Sequence, residues 1–112
     1  MPDAIGIVEM YGYVAAMKAA DAAAKAADVK IIAIDTNRPA NPKDPVPLIA
    51  VVKMQGTVSA VTAAVEAAAD MANQVTGLIQ KHIIARPTED SQKMALRSSV
   101  GSEKVGHIKN NA

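Results

Sequence analysis

The chain has 112 residues, with 12 Lys and Arg against 11 Asp and Glu and a formal net charge of +1. That balance gives no electrostatic case for a nucleic-acid partner or an anionic membrane surface. There is no cysteine, which excludes a disulfide framework, a thiolate metal site and a thiol nucleophile.

Half the residues are hydrophobic, yet there is no Phe or Trp, and Tyr11 and Tyr13 are the only tyrosines. Aromatic rings usually carry much of a core, burying about 150–250 Å² each. A single domain of this length built on Ala, Val and Ile has a thin core, so association with further copies is expected. The opening Met1-Pro2-Asp3 has no basic segment followed by an apolar run, and no secretion signal is expected. No apolar stretch is long enough to span a bilayer.

In chain order, AIGIVEM (4–10) predicts a strand ended by a turn near Gly12. VAAMKAADAAAKAA (14–27) predicts a helix, because alanine loses no side-chain rotamer freedom on becoming helical. Val14, Met17, Asp21 and Lys25 fall on nearly one face of it, with Lys18, Asp21 and Lys25 marking the polar side. DVKIIAID (28–35) predicts a second strand. A stiff polar segment follows, TNRPANPKDPVP (36–47), and then an apolar strand, VPLIAVVKM (46–54).

The stretch 56–75 predicts a second helix capped by Thr57 and ended by Gly77. Its expected apolar stripe is Val58, Val61, Ala64, Val65, Ala68, Ala69 and Ala72. LIQKHIIA (78–85) is the last strand, stopped by Pro87. Strand-helix-strand occurs twice, which predicts an α+β fold: a ferredoxin-like split βαβ-βαβ with a four-stranded antiparallel sheet. The domain is expected over 4–90. After Pro87 the chain reads as a short docking segment passing into a mobile basic tail, with 91–112 as the polar tail, in which Lys93, Arg97, Lys104 and Lys109 suit a solvated segment or an acidic partner.

IGIVEMYG followed by AAMKAADAAAKAADVKIIA resembles the opening of a bacterial microcompartment (BMC) shell protein. GTVSAVTAAVEAA resembles that family's second helix entry, and HIIARP its closing strand and turn. The resemblance runs over about residues 4 to 90 in one register. It implies a homohexamer of single-domain subunits, tiled against neighbouring hexamers and other shell proteins around encapsulated enzymes in the bacterial cytoplasm. It also implies roles for two cations. Lys25 matches the family's edge lysine between hexamers, and Arg86 the arginine that reaches a pocket on the next hexamer. A long cationic side chain can lay its stem on a flat alanine surface and deliver its head to carbonyl oxygens.

The sequence departs from the family twice. Thr88 stands where the family usually has His. Residues 36–47 replace a short glycine-and-serine loop that lines the central pore, and they are longer and contain no glycine. By position, Asn37, Arg38, Pro39, Asn41, Pro42, Lys43 and Asp44 are the expected pore-loop residues. Repeated six times, they would form a rigid collar or a raised rim around a passage for small metabolites, with Arg38 or Lys43 facing the axis. The prolines hold φ near about −65° and donate no backbone hydrogen bond. The competing reading of this loop is a stiff surface connection with no ligand.

No catalytic set is expected. Glu9 and Asp35 lie at strand ends without a second carboxylate placed for acid–base work. His82 and His107 are isolated, so no metal site is expected, and no glycine-rich phosphate loop or other cofactor motif is present. RNA binding on such a sheet would need exposed strand aromatics and a basic face. The methionines after the first read as gap fillers. The remaining alternative is a ferredoxin-like regulatory or ligand-binding oligomer, which would form discrete particles, whereas a shell protein would form sheets or tubes.

Overall fold

The structure, a computed structural model, describes residues 3–37 and 48–96. Four strands and three helices follow one another as β1 (Ala4–Tyr11), α1 (Tyr13–Ala26), β2 (Lys30–Asn37), β3 (Ile49–Gly56), α2 (Val58–Val75), β4 (Leu78–Ile84) and α3 (Glu89–Leu96). The strands form one sheet in the order β2-β3-β1-β4, with every neighbouring pair antiparallel. This is the split βαβ arrangement that the repeated strand-helix-strand pattern predicts.

Both long helices pack on one face of the sheet. Alternation along the strands decides which side chains they meet. Val8 and Met10 of β1 and Ala50, Val52 and Met54 of β3 point to the helices and are buried. Ala15, Ala16, Ala19 and Ala23 of α1 meet Val61, Ala64, Val65, Ala68 and Ala72 of α2 in the same cluster. Its largest fully buried side chains are Met10, Met54, Val8, Val52, Val61 and Val65. Two of the gap-filling methionines therefore lie at the centre, while Met17 and Met94 are exposed. Alanine facing alanine lets the helices lie close together. Gly6 does the same for α2 and the sheet, because a Cβ there would fall within 3.0 Å of Val61, Val65 and Met54 side-chain carbons.

The ends of the elements correct several expectations. Gly12 precedes α1 with φ 91° and ψ 141°, a conformation reserved almost entirely for glycine. Thr57 caps α2, its hydroxyl accepting from the Ala60 amide at 3.2 Å. Gly77 does not end α2 through a left-handed turn, since Gly12 is the glycine with positive φ among the described residues. Instead the Thr76 hydroxyl donates to the Tyr11 carbonyl at 2.7 Å, and Asn73 Oδ1 accepts from the Leu78 amide at 3.0 Å. Val58 is half exposed and does not join the buried stripe. β2 and β3 begin later than expected, and Asp35 sits inside β2 instead of at its end.

The stretch after Pro87, expected as a short docking segment, is a helix. Pro87 is buried, and the Thr88 hydroxyl accepts from the Ser91 amide at 3.1 Å to start α3. α3 lies against β2, on the sheet face that α1 and α2 leave bare. Among the described residues, no helix is long and apolar enough to cross a membrane.

Candidate functional site

Strand direction sorts the predicted site residues into two groups. β1 runs from Ala4 to Tyr11. β2 runs the same way through the α1 crossover, while β3 and β4 run oppositely. At the Tyr11 end of β1, Asn37 pairs with Ile49 and closes the base of the β2–β3 connection. The Gly12 amide donates to the Leu48 carbonyl at 2.6 Å and pins the returning root of that connection to the start of α1. The Tyr11 amide donates to the Gly77 carbonyl at 3.4 Å and ties in the end of α2. Asn37 is exposed at this end. Arg38, Pro39, Asn41, Pro42, Lys43 and Asp44 lie outside the described residues, as does the orientation expected of Arg38 and Lys43.

Lys25 and Arg86 fall at the opposite end. α1 starts beside Tyr11 and carries Lys25 in its last turn. β4 delivers Arg86 just beyond Ile84, which pairs with Ile5. With a rise of about 3.3 Å per residue, an eight-residue strand puts roughly 23 Å between the two ends.

The Lys25 side chain is 77% exposed and pairs with Asp21 Oδ2 at 2.8 Å, one turn earlier. An exposed pair of this kind contributes only about 0.3–0.5 kcal/mol. Its effect is to orient the ammonium along the helix, where the C-terminal dipole also favours a cation. Val14 and Met17 continue this outward face and are 67% and 51% exposed. Arg86 is exposed and lines an open cleft of about 510 Å³ with Asp3, Thr57 and Val58 at the entry to α2. The buried ring of Pro87 fixes the chain direction immediately after it.

Of the residues weighed for chemistry, Glu9 and Asp35 flank Val51 from β1 and β2 in one cross-strand row, two strands apart, and His82 lies one strand further on. His82 is exposed on β4, across from Ile7. Glu9 lies opposite Val51 and Gln80. Among the described residues, no group of three or more His, Asp or Glu is placed to hold a metal ion. Sequence reading missed one feature: Lys53, on the central strand β3, forms an ion pair with Asp35 on β2. The two side chains are only 14% and 23% exposed. A lone lysine in an alternating strand reads as solvent-facing, but its ammonium also reaches the Met94 carbonyl of α3, a helix that sequence reading did not find.

Residues 4–87 match the family described as BMC domain. The chain is 37% identical over 92 residues to the carboxysome shell protein CcmK2 of Synechococcus elongatus, covering 80% of this chain and 82% of that protein. It is 38% identical over 88 residues to the carboxysome shell protein CsoS1A of Hydrogenovibrio crunogenus, covering 78% of this chain and 83% of that one. In three dimensions, 85% of the chain superposes with a TM-score of 0.65 on a microcompartment protein from Desulfitobacterium hafniense. At 24% identity that likeness speaks for the fold, and the chain spans about half (48%) of that longer structure.

Proposed function

The chain belongs to the BMC-domain family of microcompartment shell proteins, and from that premise we propose that it is a non-enzymatic tile: a homohexamer with a central pore that packs edge to edge with other hexamers. The supporting observation is the two-ended subunit. The root of residues 36–47 lies at one end of the sheet, and Lys25 and Arg86 lie at the other. A ring built with the first end inward gathers six copies of the proline-rich segment around the axis. The second end then faces outward, where neighbouring rings meet.

The physics of the edge fits this role. Alanine surfaces let flat faces approach closely, and a long cation can cross the seam with its stem on apolar surface. Val58, beside Arg86, is a large apolar side chain left exposed at this end, and Val14 and Met17 are exposed on the first turns of α1 toward the other end; exposed apolar surface of this kind is suited to burial between copies. The pore segment carries Arg38, Lys43 and Asp44, so its proposed role is to set the size and charge of a passage for small metabolites. Other shell proteins and encapsulated enzymes are the proposed partners, and the shell of a cytoplasmic microcompartment the proposed location. The carboxysome shell names of the relatives point to carbon fixation as one setting for such a shell.

Two measurements test this. The purified protein should elute with the mass of six chains of 11.6 kDa, and electron microscopy at moderate salt should show hexagonal sheets or tubes. Lys25→Ala should abolish the sheets and leave the hexamers. A monomer at every concentration refutes the proposal. Discrete oligomers that never form arrays favour the regulatory reading instead.

A further inference from the structure

α3 is attached to the domain by little. It has eight residues, and a helix of this length is not stable alone in water. Ala95 is its one buried residue, while Met94 and Leu96 face solvent at 68% and 60% exposure. A small cavity of about 30 Å³ remains between Gln92 and Leu96 above and Ile5, Ile32 and Gln55 below. Its own ion pair, Lys93 to Glu89 at 3.6 Å, is exposed and adds little.

The sheet beneath it is shaped for it. On the face away from α1 and α2, Ile5 and Ala33 are buried to 2% and 8% exposure, while Ile7, Ile49 and Val51 stay partly open. A bulge between Ile31 and Ala33 lets Ile32 and Ala33 both oppose the region of Lys53, and Ile32 lines the cavity under α3. Lys53 joins the two layers. Its ammonium pairs with Asp35 and also donates to the Met94 carbonyl at 3.4 Å. That carbonyl lies in the last turn of α3, where the helix leaves carbonyls without partners and the dipole favours a cation.

We propose that α3 is a detachable strap, that the Asp35–Lys53 pair is the latch holding it on the sheet, and that its release uncovers the apolar face around Ile5, Ile32 and Ala33. Asp35 positions the ammonium, and the ammonium holds the C-terminal turn of the helix. The latch spans β2 and β3 and lies outside the core formed with α1 and α2, so the strap opens without the domain unfolding.

Hydrogen exchange on the full chain tests this. Removing only one partner leaves a poorly solvated charge and threatens the fold, so the informative variant replaces both, Asp35→Leu with Lys53→Met. The amides of Gln92–Leu96 should then exchange about tenfold faster, as expected on losing a hydrogen bond to a charged group. Amides of Val8 and Val52 should keep their protection. If the α3 amides stay within about twofold of the unmodified chain while the core is intact, the proposal is overturned. If the core amides also open, the milder pair Asp35→Asn with Lys53→Met decides by the same readout. α3 amides that exchange faster while Val8 and Val52 keep their protection support the latch, and α3 amides that open only together with the core overturn it.

Discussion

Replacing Gly6 by alanine puts a methyl carbon 2.6 Å from Val65 Cγ2, 2.8 Å from Val61 Cγ1 and 3.0 Å from Met54 Cγ. Carbon atoms in contact sit about 3.5–4.0 Å apart, so α2 must move outward by roughly 1 Å. The valines cannot turn away, because β-branched side chains on a helix have one strongly preferred χ1 and both are fully enclosed, at 0% and 1% exposure. Overpacking of this kind costs about 1–3 kcal/mol. The relief of replacing a strand glycine, about 0.5–1 kcal/mol, opposes it. The net expectation is a destabilisation of about 1–2 kcal/mol, read as a lower urea midpoint at unchanged slope. Protein concentration must be held fixed, because assembly is linked to stability. Val65→Ala removes the nearest atom, so in the Gly6→Ala background it should cost less than it does alone, a coupling of about 0.5 kcal/mol or more. A Gly6→Ala variant as stable as the parent, or the absence of coupling to Val65, would refute the close-approach argument.

Two further substitutions probe the ends of the helices. Gly12→Ala forces a side chain into φ 91° and should lose about 1–3 kcal/mol by chemical denaturation; an unchanged midpoint would mean the turn relaxes freely. Thr57→Ala removes the acceptor for the Ala60 amide and should cost about 1 kcal/mol, with Thr57→Ser close to the parent. Equal losses for alanine and serine would assign the effect to the threonine methyl and not to the cap.

The two alanine helices were legible because alanine combines high helix propensity with a small side chain, and the positions expected on the α2 stripe from Val61 onward are buried. The strands were legible in kind but not in limits, since β2 and β3 continue beyond the residues whose alternation marks them. α3 escaped because its sequence has almost no apolar face to detect. Its one signal was local: Thr88 before Glu89, Asp90 and Ser91, a capping residue followed by acids in the first turn. Missing α3 meant missing the Lys53 contact to the Met94 carbonyl of that helix. The end of α2 was assigned to a left-handed Gly77 because the contacts that tie it down, from the Thr76 hydroxyl to Tyr11 and from the Leu78 amide to Asn73, involve other elements. Lys25 and Arg86 were singled out through resemblance, and their common end of the sheet follows from strand direction alone.

The hairpin base at Asn37 and Ile49 has a practical consequence for protein engineering. Its ladder pairs, and the Gly12 bond to Leu48, close the base through backbone atoms, so these closing bonds do not depend on which side chains the intervening residues carry. Loop closure costs only about 0.6 kcal/mol for each doubling of length. An exchange of residues 38–47 therefore keeps the closing backbone bonds and alters the size and charge of the proposed passage. The far end of the subunit, some 23 Å away along the strands, keeps its own chemistry through such an exchange.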